Sequence, residues 1–329
     1  MRPSPLKFLS VGWYSVVMGL AGLALAWNAA VPLMGDMAGA AALVIGALAA
    51  AVFVVLAAAG LLRARRHPGA WSQDLSHPVR APFAATLPFA LMLLATWAVA
   101  LGASGLFVQA LWWCGVLGQL AVTWWLVGRW WQAREAGGQP WAGITPALFI
   151  PSVGNAVAAQ AGLPLGHPEW SALQFGVALL LWPLVASLVV VRLLQHGPWP
   201  ERMRPVAFVF VAPPSLVGLA ALQFGAPDGL GWMCRGMAAF SAAWAARELP
   251  RIAGQPFGLA HWSMSFPLAA LASLTLRLGR PGGALAWLGP PVLALVTLVV
   301  AALVLGTLRG LRDGSLLAPE PVAVLQSAG

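Results

Sequence analysis

The chain has 329 residues, of which 60% are hydrophobic and only 8% charged, with a mean hydropathy of +0.82. A soluble domain carries roughly 25% charged residues, so the composition excludes one and indicates a polytopic membrane protein. The net charge of +9 tempts a nucleic-acid reading, but its distribution along the chain answers to the membrane, and no nucleic-acid partner is expected.

A spanning helix needs about 20 apolar residues. In chain order, spans are expected at 8–30, 38–62, 82–103, 105–128, 144–162, 170–191, 205–226, 229–246, 259–278 and 284–308. The first follows Lys7 and has a longer apolar run than a signal peptide usually carries, so it is read as a true helix. No charged residue occurs between Arg80 and Arg129, so two spans must share that stretch, joined near Gly102 and Gly105. The longest loops are 63–81, 129–143 and 192–204, which leave no room for a soluble domain. Residues 1–312 form one transmembrane domain, and 313–329 are expected to be a short, disordered cytoplasmic tail.

Prolines fall inside the odd spans: Pro88, Pro151, Pro213 with Pro214, and Pro267. Among the even spans only the sixth has a central one, Pro183. An interior proline removes a helical hydrogen bond, and in lipid such a break is tolerated where the helix faces protein or water. The alternation predicts an inner set of broken helices and an outer, straight, lipid-facing set. Span one lacks a proline, but Gly12, Ser15, Gly19 and Gly22 mark one small-residue face, for close packing, a lumen or both.

If the termini and the loops after even spans share one side, that side holds 15 of the 18 basic residues, leaving Arg235, Arg277 and Arg280 opposite. The positive-inside rule then puts both termini in the cytoplasm, and anionic membrane lipid is the natural partner of the arginine excess. Tryptophans near span ends, such as Trp27, Trp130, Trp131, Trp141, Trp170, Trp199 and Trp287, read as interfacial anchors; Trp124 and Trp125 read as lipid-facing or helix-packing. Cys114 and Cys234 lack CxxC spacing and read as small packing residues.

No Asp, Glu, Lys or Arg lies at mid-depth in spans three, five, seven or nine. That argues against a carboxylate proton relay and against a membrane-embedded enzyme, both of which need positioned titratable groups. The five histidines lack metal-ligand spacing, and no cofactor or metal is expected. What remains is mild polarity on the broken helices: Thr86 and Thr96, Thr145, Ser152, Asn155 and Gln160, Ser215, and Ser263, Ser265 and Ser273. Singly, each suits an interhelical hydrogen bond; together they suit the lining of a narrow, uncharged conduit. Helix ends exposed by the breaks would favour anions. Phe266, directly before Pro267, shares a helical face with Ser263, Ala270 and Ser273. Pattern alone reads it as a packing residue, although a ring on such a face can also plug a pore.

The segments "GWYSVVMGLAGLALAW", "HPVRAPFAATLPF", "LFIPSVGNAVA", "RPVAFVFVAPPSLVGLA" and "HWSMSFPLAALA" resemble successive signatures of the tellurite-resistance/dicarboxylate transporter family. That family includes bacterial TehA and the plant guard-cell slow anion channels. The resemblance covers about residues 8–310. It implies an all-α membrane protein of ten helices, paired as five hairpins around a central pore with odd helices inside and even helices outside, assembled as a homotrimer. It also implies a pore-occluding phenylalanine at the position of Phe266. The candidate lining is then Gly12, Ser15, Gly19, Thr86, Pro88, Pro151, Ser152, Asn155, Pro213, Pro214, Ser215, Ser263, Pro267 and Ser273. The chain departs from the family's first-helix pattern, with Val17 in place of a proline and Ser15 in place of a glycine, which implies a straighter helix. The expected function is a passive channel for small inorganic anions in a bacterial inner membrane; the alternative is a carrier of tellurite, sulfite or a four-carbon dicarboxylate.

Overall fold

The computed structural model describes residues 5–132, 138–279 and 285–318. The expected disordered tail lies mainly outside these residues, as do Arg2, Arg134 and Arg280 of the charge tally. Every element among the described residues is helical.

The α-helices that matter here are α1 (Tyr14–Ala29), α2 (Asp36–Arg66), the short α3 (Pro68–Ser76), α4 (Thr86–Ala100), α5 (Leu106–Gly128), α6 (Phe149–Val153), α7 (Ala158–Gly162), α8 (Pro168–His196), α9 (Ala212–Gln223), α10 (Asp228–Ala246), α11 (Ser265–Leu278) and α12 (Gly289–Arg312). Together with the 3₁₀ turns that flank them, they supply eight stretches long and apolar enough to cross a membrane. The other two expected spans look different. Residues 146–162 are a chain of four short pieces, two 3₁₀ and two α. Helix α10 is continuous over 19 residues, but Asp228, Arg235 and three glycines lower its hydropathy.

Burial separates the helices into two kinds. In α9, 10 of 12 residues are buried, and in α11 13 of 14. In α2 the figure is 6 of 31, and in α12 7 of 24. A helix buried all round belongs to the interior, and one buried along a single stripe belongs to the exterior. The stripes follow helical spacing: Ala38, Ala42, Gly46 and Ala49 on α2, and Leu293, Val296, Val300, Leu303 and Thr307 on α12. Without a hydrophobic drive between helices in lipid, such seams hold by close packing. At Gly46 the Trp97 indole lies against the backbone and donates its N–H to the Ala42 carbonyl at 3.1 Å.

Helix α1 packs on both α4 and α11; α9 packs on α11 and α7; α7 packs on α4. Each interior segment is also backed by the exterior helix that follows it in sequence. At one end of the molecule, the turn Pro5–Phe8 touches Ser315–Leu317, so the first and last described segments lie together.

The interior prolines do not kink continuous α-helices. Each interior segment begins in 3₁₀ form: Val11–Trp13, Ala81–Ala85, Pro146–Leu148, Glu201–Val211 and Leu259–Met264. Pro88, Pro151, Pro214 and Pro267 then occupy the third position of α4, α6, α9 and α11. In the first turn a missing N–H costs little, since it lacks an α-helical partner in any case. Helix α1 starts from a 3₁₀ turn without any proline and runs unbroken through Val17. Among the described residues, Pro183 alone sits deep within an α-helix, α8.

Several expectations for single side chains change. Trp199 is buried and donates to the Ile144 carbonyl at 3.0 Å, and Trp27 donates to Thr297 Oγ1 at 3.2 Å. Both brace one segment against another. Trp124 and Trp131 are exposed, as lipid-facing and interfacial residues should be. Cys234 is buried against Gly218, whereas Cys114 is exposed on α5.

Candidate functional site

Where the interior segments pass from 3₁₀ to α form they enclose a cavity of about 40 Å³, room for about one to three waters. Helix α1 contributes Ser15 and Met18. The second segment contributes Phe83, Thr86 and Phe89, and the third Phe149, Ile150 and Val153. Val209, Ala212 and Leu216 come from the fourth, and Trp262, Ser263, Phe266 and Pro267 from the fifth. No lining residue carries charge. Three hydroxyls, from Ser15, Thr86 and Ser263, are set in a largely aromatic and aliphatic wall.

Phe266 is 6% exposed and meets Phe89 edge to face, with ring centroids 4.9 Å apart. Gly22 makes room for it: a Cβ there would stand 2.9 Å from Phe266 Cδ2. A second pair, Phe149 with Phe210 at 5.2 Å, supports the lining at Phe149. Trp262 is held from behind, its indole N–H donating to Thr307 Oγ1 of α12 at 2.8 Å. The Thr86 hydroxyl lies within hydrogen-bond reach of the Val11 and Phe83 carbonyls, at 2.9 and 2.7 Å, which ties α4 to the start of α1.

Five of the residues singled out from sequence therefore meet at the cavity: Ser15, Thr86, Ser263, Phe266 and Pro267. The others lie elsewhere. Gly12 borders Leu259 and Phe83, and Gly19 packs against Ser265 and Trp262. The Pro88 ring fills the space left by Gly118 of α5, and its carbonyl lies beside Gly115. Ser152, Ser215 and Ser273 return their hydroxyls to the carbonyls of Leu148, Val211 and Ala269 four residues back. Pro213 and Pro214 are buried at the head of α9.

Asn155 turns outward. Its Nδ2 donates to Thr123 Oγ1 at 2.9 Å and lies near the Pro151 and Ser152 carbonyls, while its Oδ1 accepts from Gln174 Nε2 at 3.1 Å. Gln119 Nε2 donates to the Ile150 carbonyl at 2.8 Å. These side chains, all buried, clamp the segmented 146–162 stretch between α5 and α8. They satisfy carbonyls that a broken helix would otherwise leave bare in a membrane.

Residues 9–308 match the family model SLAC1, described as voltage-dependent anion channel. The chain belongs to this family. It is 25% identical over 281 residues to the tellurite resistance protein TehA homolog of Haemophilus influenzae, covering 83% of this chain and 81% of that protein. It is 27% identical over 133 residues to the S-type anion channel SLAH2 of Arabidopsis thaliana, covering 40% of this chain and 26% of the plant protein. SLAH3 of the same plant is 29% identical over 133 residues, covering 40% and 21%.

The apolar part of the lining was not visible in the sequence. Met18, Phe89, Phe149, Val209 and Leu216 are apolar residues in apolar helices, and nothing in their pattern separates them from their neighbours. Gln119 and Gln174 do carry a sequence signal, as amides within the apolar stretches of outer helices, which need partners in the membrane.

Proposed function

We propose that the chain is a passive channel for small inorganic anions, closed at Phe266. Its ten spans, counting 146–162 and α10 with the eight apolar ones, would form five hairpins around a central pore, with the cavity as its narrowest part. The observation that carries this reading is the Phe266 ring, set against Phe89 in a cavity to which all five interior segments contribute. The uncharged lining suits conduction better than coupled transport, because a specific oxyanion site would ordinarily present Arg or Lys.

The remaining candidate lining residues, Gly12, Gly19, Pro88, Pro151, Ser152, Asn155, Pro213, Pro214, Ser215 and Ser273, would then shape the conduit through backbone and packing. The arginine bias supports an orientation with both termini in the cytoplasm of a bacterial inner-membrane protein, and the contact between Pro5–Phe8 and Ser315–Leu317 supports an even number of spans. A homotrimer is the expected assembly. A carrier of tellurite, sulfite or a dicarboxylate is the second reading, favoured by the name of the Haemophilus influenzae relative.

Reconstitution in planar bilayers tests the gate. Phe266→Ala removes the plug without changing charge, so anion current at matched protein density should rise about tenfold or more, the effect of lowering a barrier by about 1.4 kcal/mol. A folded variant with unchanged current overturns the gate. Saturable, proton-dependent flux without current favours the carrier.

A further inference from the structure

Helix α11 is buried along its whole length except at one residue, Arg277 in its last turn. The arginine comes eleven residues after Phe266. That is three turns and about 20° more, which puts it on the cavity face of α11 about 16.5 Å further along the axis. Thr275, nine residues after Phe266, lies on the opposite face. There it accepts the Nε–H of Arg235, from the outer helix α10, at 3.2 Å. Helix α10 therefore covers the back of α11, and Arg277 is left on the front.

The same spacing recurs on α9. Gln223 comes eleven residues after Ala212, a cavity residue, and α9 packs on α11. The two polar side chains meet, with Arg277 Nη1 donating to Gln223 Oε1 at 2.8 Å. A guanidinium only donates, so the amide turns its oxygen toward Arg277 and keeps its NH2 for another partner. Helix α7, on the other side of α9, is buried except at Gln160. All three polar residues stand near the C-terminal ends of interior segments whose beginnings enclose the cavity. A mouth built of helix C-termini discourages an anion, because their partial charges are negative. Arg277 brings a full positive charge to that mouth. Among the described residues no carboxylate is bonded to Arg277 or to Arg235.

We propose that Arg277, held by Gln223, is an anion-capture site at the mouth of the conduit opposite the termini, taking a small monovalent inorganic anion between the guanidinium and the Gln223 amide N–H. What the site supplies rests on the channel reading above; binding itself does not. One guanidinium and one amide match a single negative charge, and their exposure leaves the ion part of its water, so it exchanges readily. The distance to Phe266 exceeds the Debye length of about 8 Å at physiological salt. The site therefore acts on entry into the conduit and leaves the gate alone.

Planar bilayers read the supply of anions, in the wild-type and Phe266→Ala proteins, each carrying Cys114→Ser to remove the exposed thiol. Arg277→Cys should cut chloride current about threefold in about 10 mM salt, where the Debye length is about 30 Å, and barely change it in about 1 M salt. A cationic methanethiosulfonate reagent should then restore the low-salt current, and an anionic one should lower it further. A purely structural arginine would not respond to the sign of the reagent. Low-salt current that is unchanged in Arg277→Cys, or blind to that sign, overturns the proposal. A second measurement needs no current. Crystals of the wild-type protein soaked in bromide should show an anomalous peak beside Arg277 and Gln223 that Arg277→Cys lacks. If neither protein conducts, the channel reading fails, and the bromide peak alone decides the capture site. No peak at that place overturns it.

Discussion

Phe89 presents itself to Phe266 at an interplanar angle of 79°, so the ring proposed as the plug is seated against a second ring from a different helix. An edge-to-face pair of this kind contributes about 0.5–1.5 kcal/mol beyond the area it buries. Phe89→Ala should therefore loosen Phe266 and raise anion current, by less than Phe266→Ala does. The double variant should conduct no more than Phe266→Ala alone, because the two rings act as one obstacle. Current that multiplies across the two substitutions would show that the rings restrict passage separately.

Gly46 is required by Trp97. A Cβ at position 46 would fall 2.0 Å from Trp97 Nε1, so Gly46→Ala must expel the indole and break its bond to the Ala42 carbonyl. Overpacking of this kind costs about 1–3 kcal/mol. Thermal unfolding in detergent should show the loss, and Trp97→Ala should make the same Gly46→Ala change nearly neutral.

Asp74 is the carboxylate bonded to Arg63 among the described residues, at 2.8 Å, with side-chain exposures of 8% and 3%. Arg63 also donates from Nε to the Lys7 carbonyl, at 3.1 Å. Replacing Asp74 with Asn leaves a buried guanidinium without its counter-charge, a change that costs about 3–5 kcal/mol in buried pairs. Limited proteolysis near Lys7 should accelerate in Asp74→Asn. Unchanged protease resistance would show that the pair does not hold the N-terminal segment.

Asn155 and Ser273 separate two kinds of buried polarity. Asn155→Leu removes the bonds that link it to Gln174 Nε2 on α8 and Thr123 Oγ1 on α5, across two helix interfaces, and should destabilise by about 1–3 kcal/mol. Ser273 bonds only to a carbonyl of its own helix, so Ser273→Ala should stay within about 0.5 kcal/mol. Melting of the two variants side by side in one detergent checks the contrast.

Charge scarcity and proline placement made the architecture legible, since each follows from a strong constraint that lipid imposes on polar backbone. Proline could not reveal the form of the break. A proline in a first helical turn and one in a mid-helix kink read alike in sequence, and at α1 the 3₁₀ start exists with no proline at all. The site was legible where a residue differed from its surroundings: Thr86 and Ser263 as hydroxyls, Phe266 as a ring on a small-residue face. Asn155 differed as much, yet its partners lie on α5 and α8. Which way a polar side chain turns depends on neighbours contributed from elsewhere in the chain.

The 3₁₀ openings of the interior segments also change how far a given number of residues reaches. A 3₁₀ residue advances about 2.0 Å along the axis, against about 1.5 Å in an α-helix. The 146–162 stretch has seven residues of the first kind and ten of the second, which extends it to about 29 Å, close to the thickness of a bilayer's hydrocarbon core. As uniform α-helix it would stop near 25 Å. In the proposed ten-span arrangement, length gained by unwinding would let a segment too short by residue count match the depth of its longer neighbours.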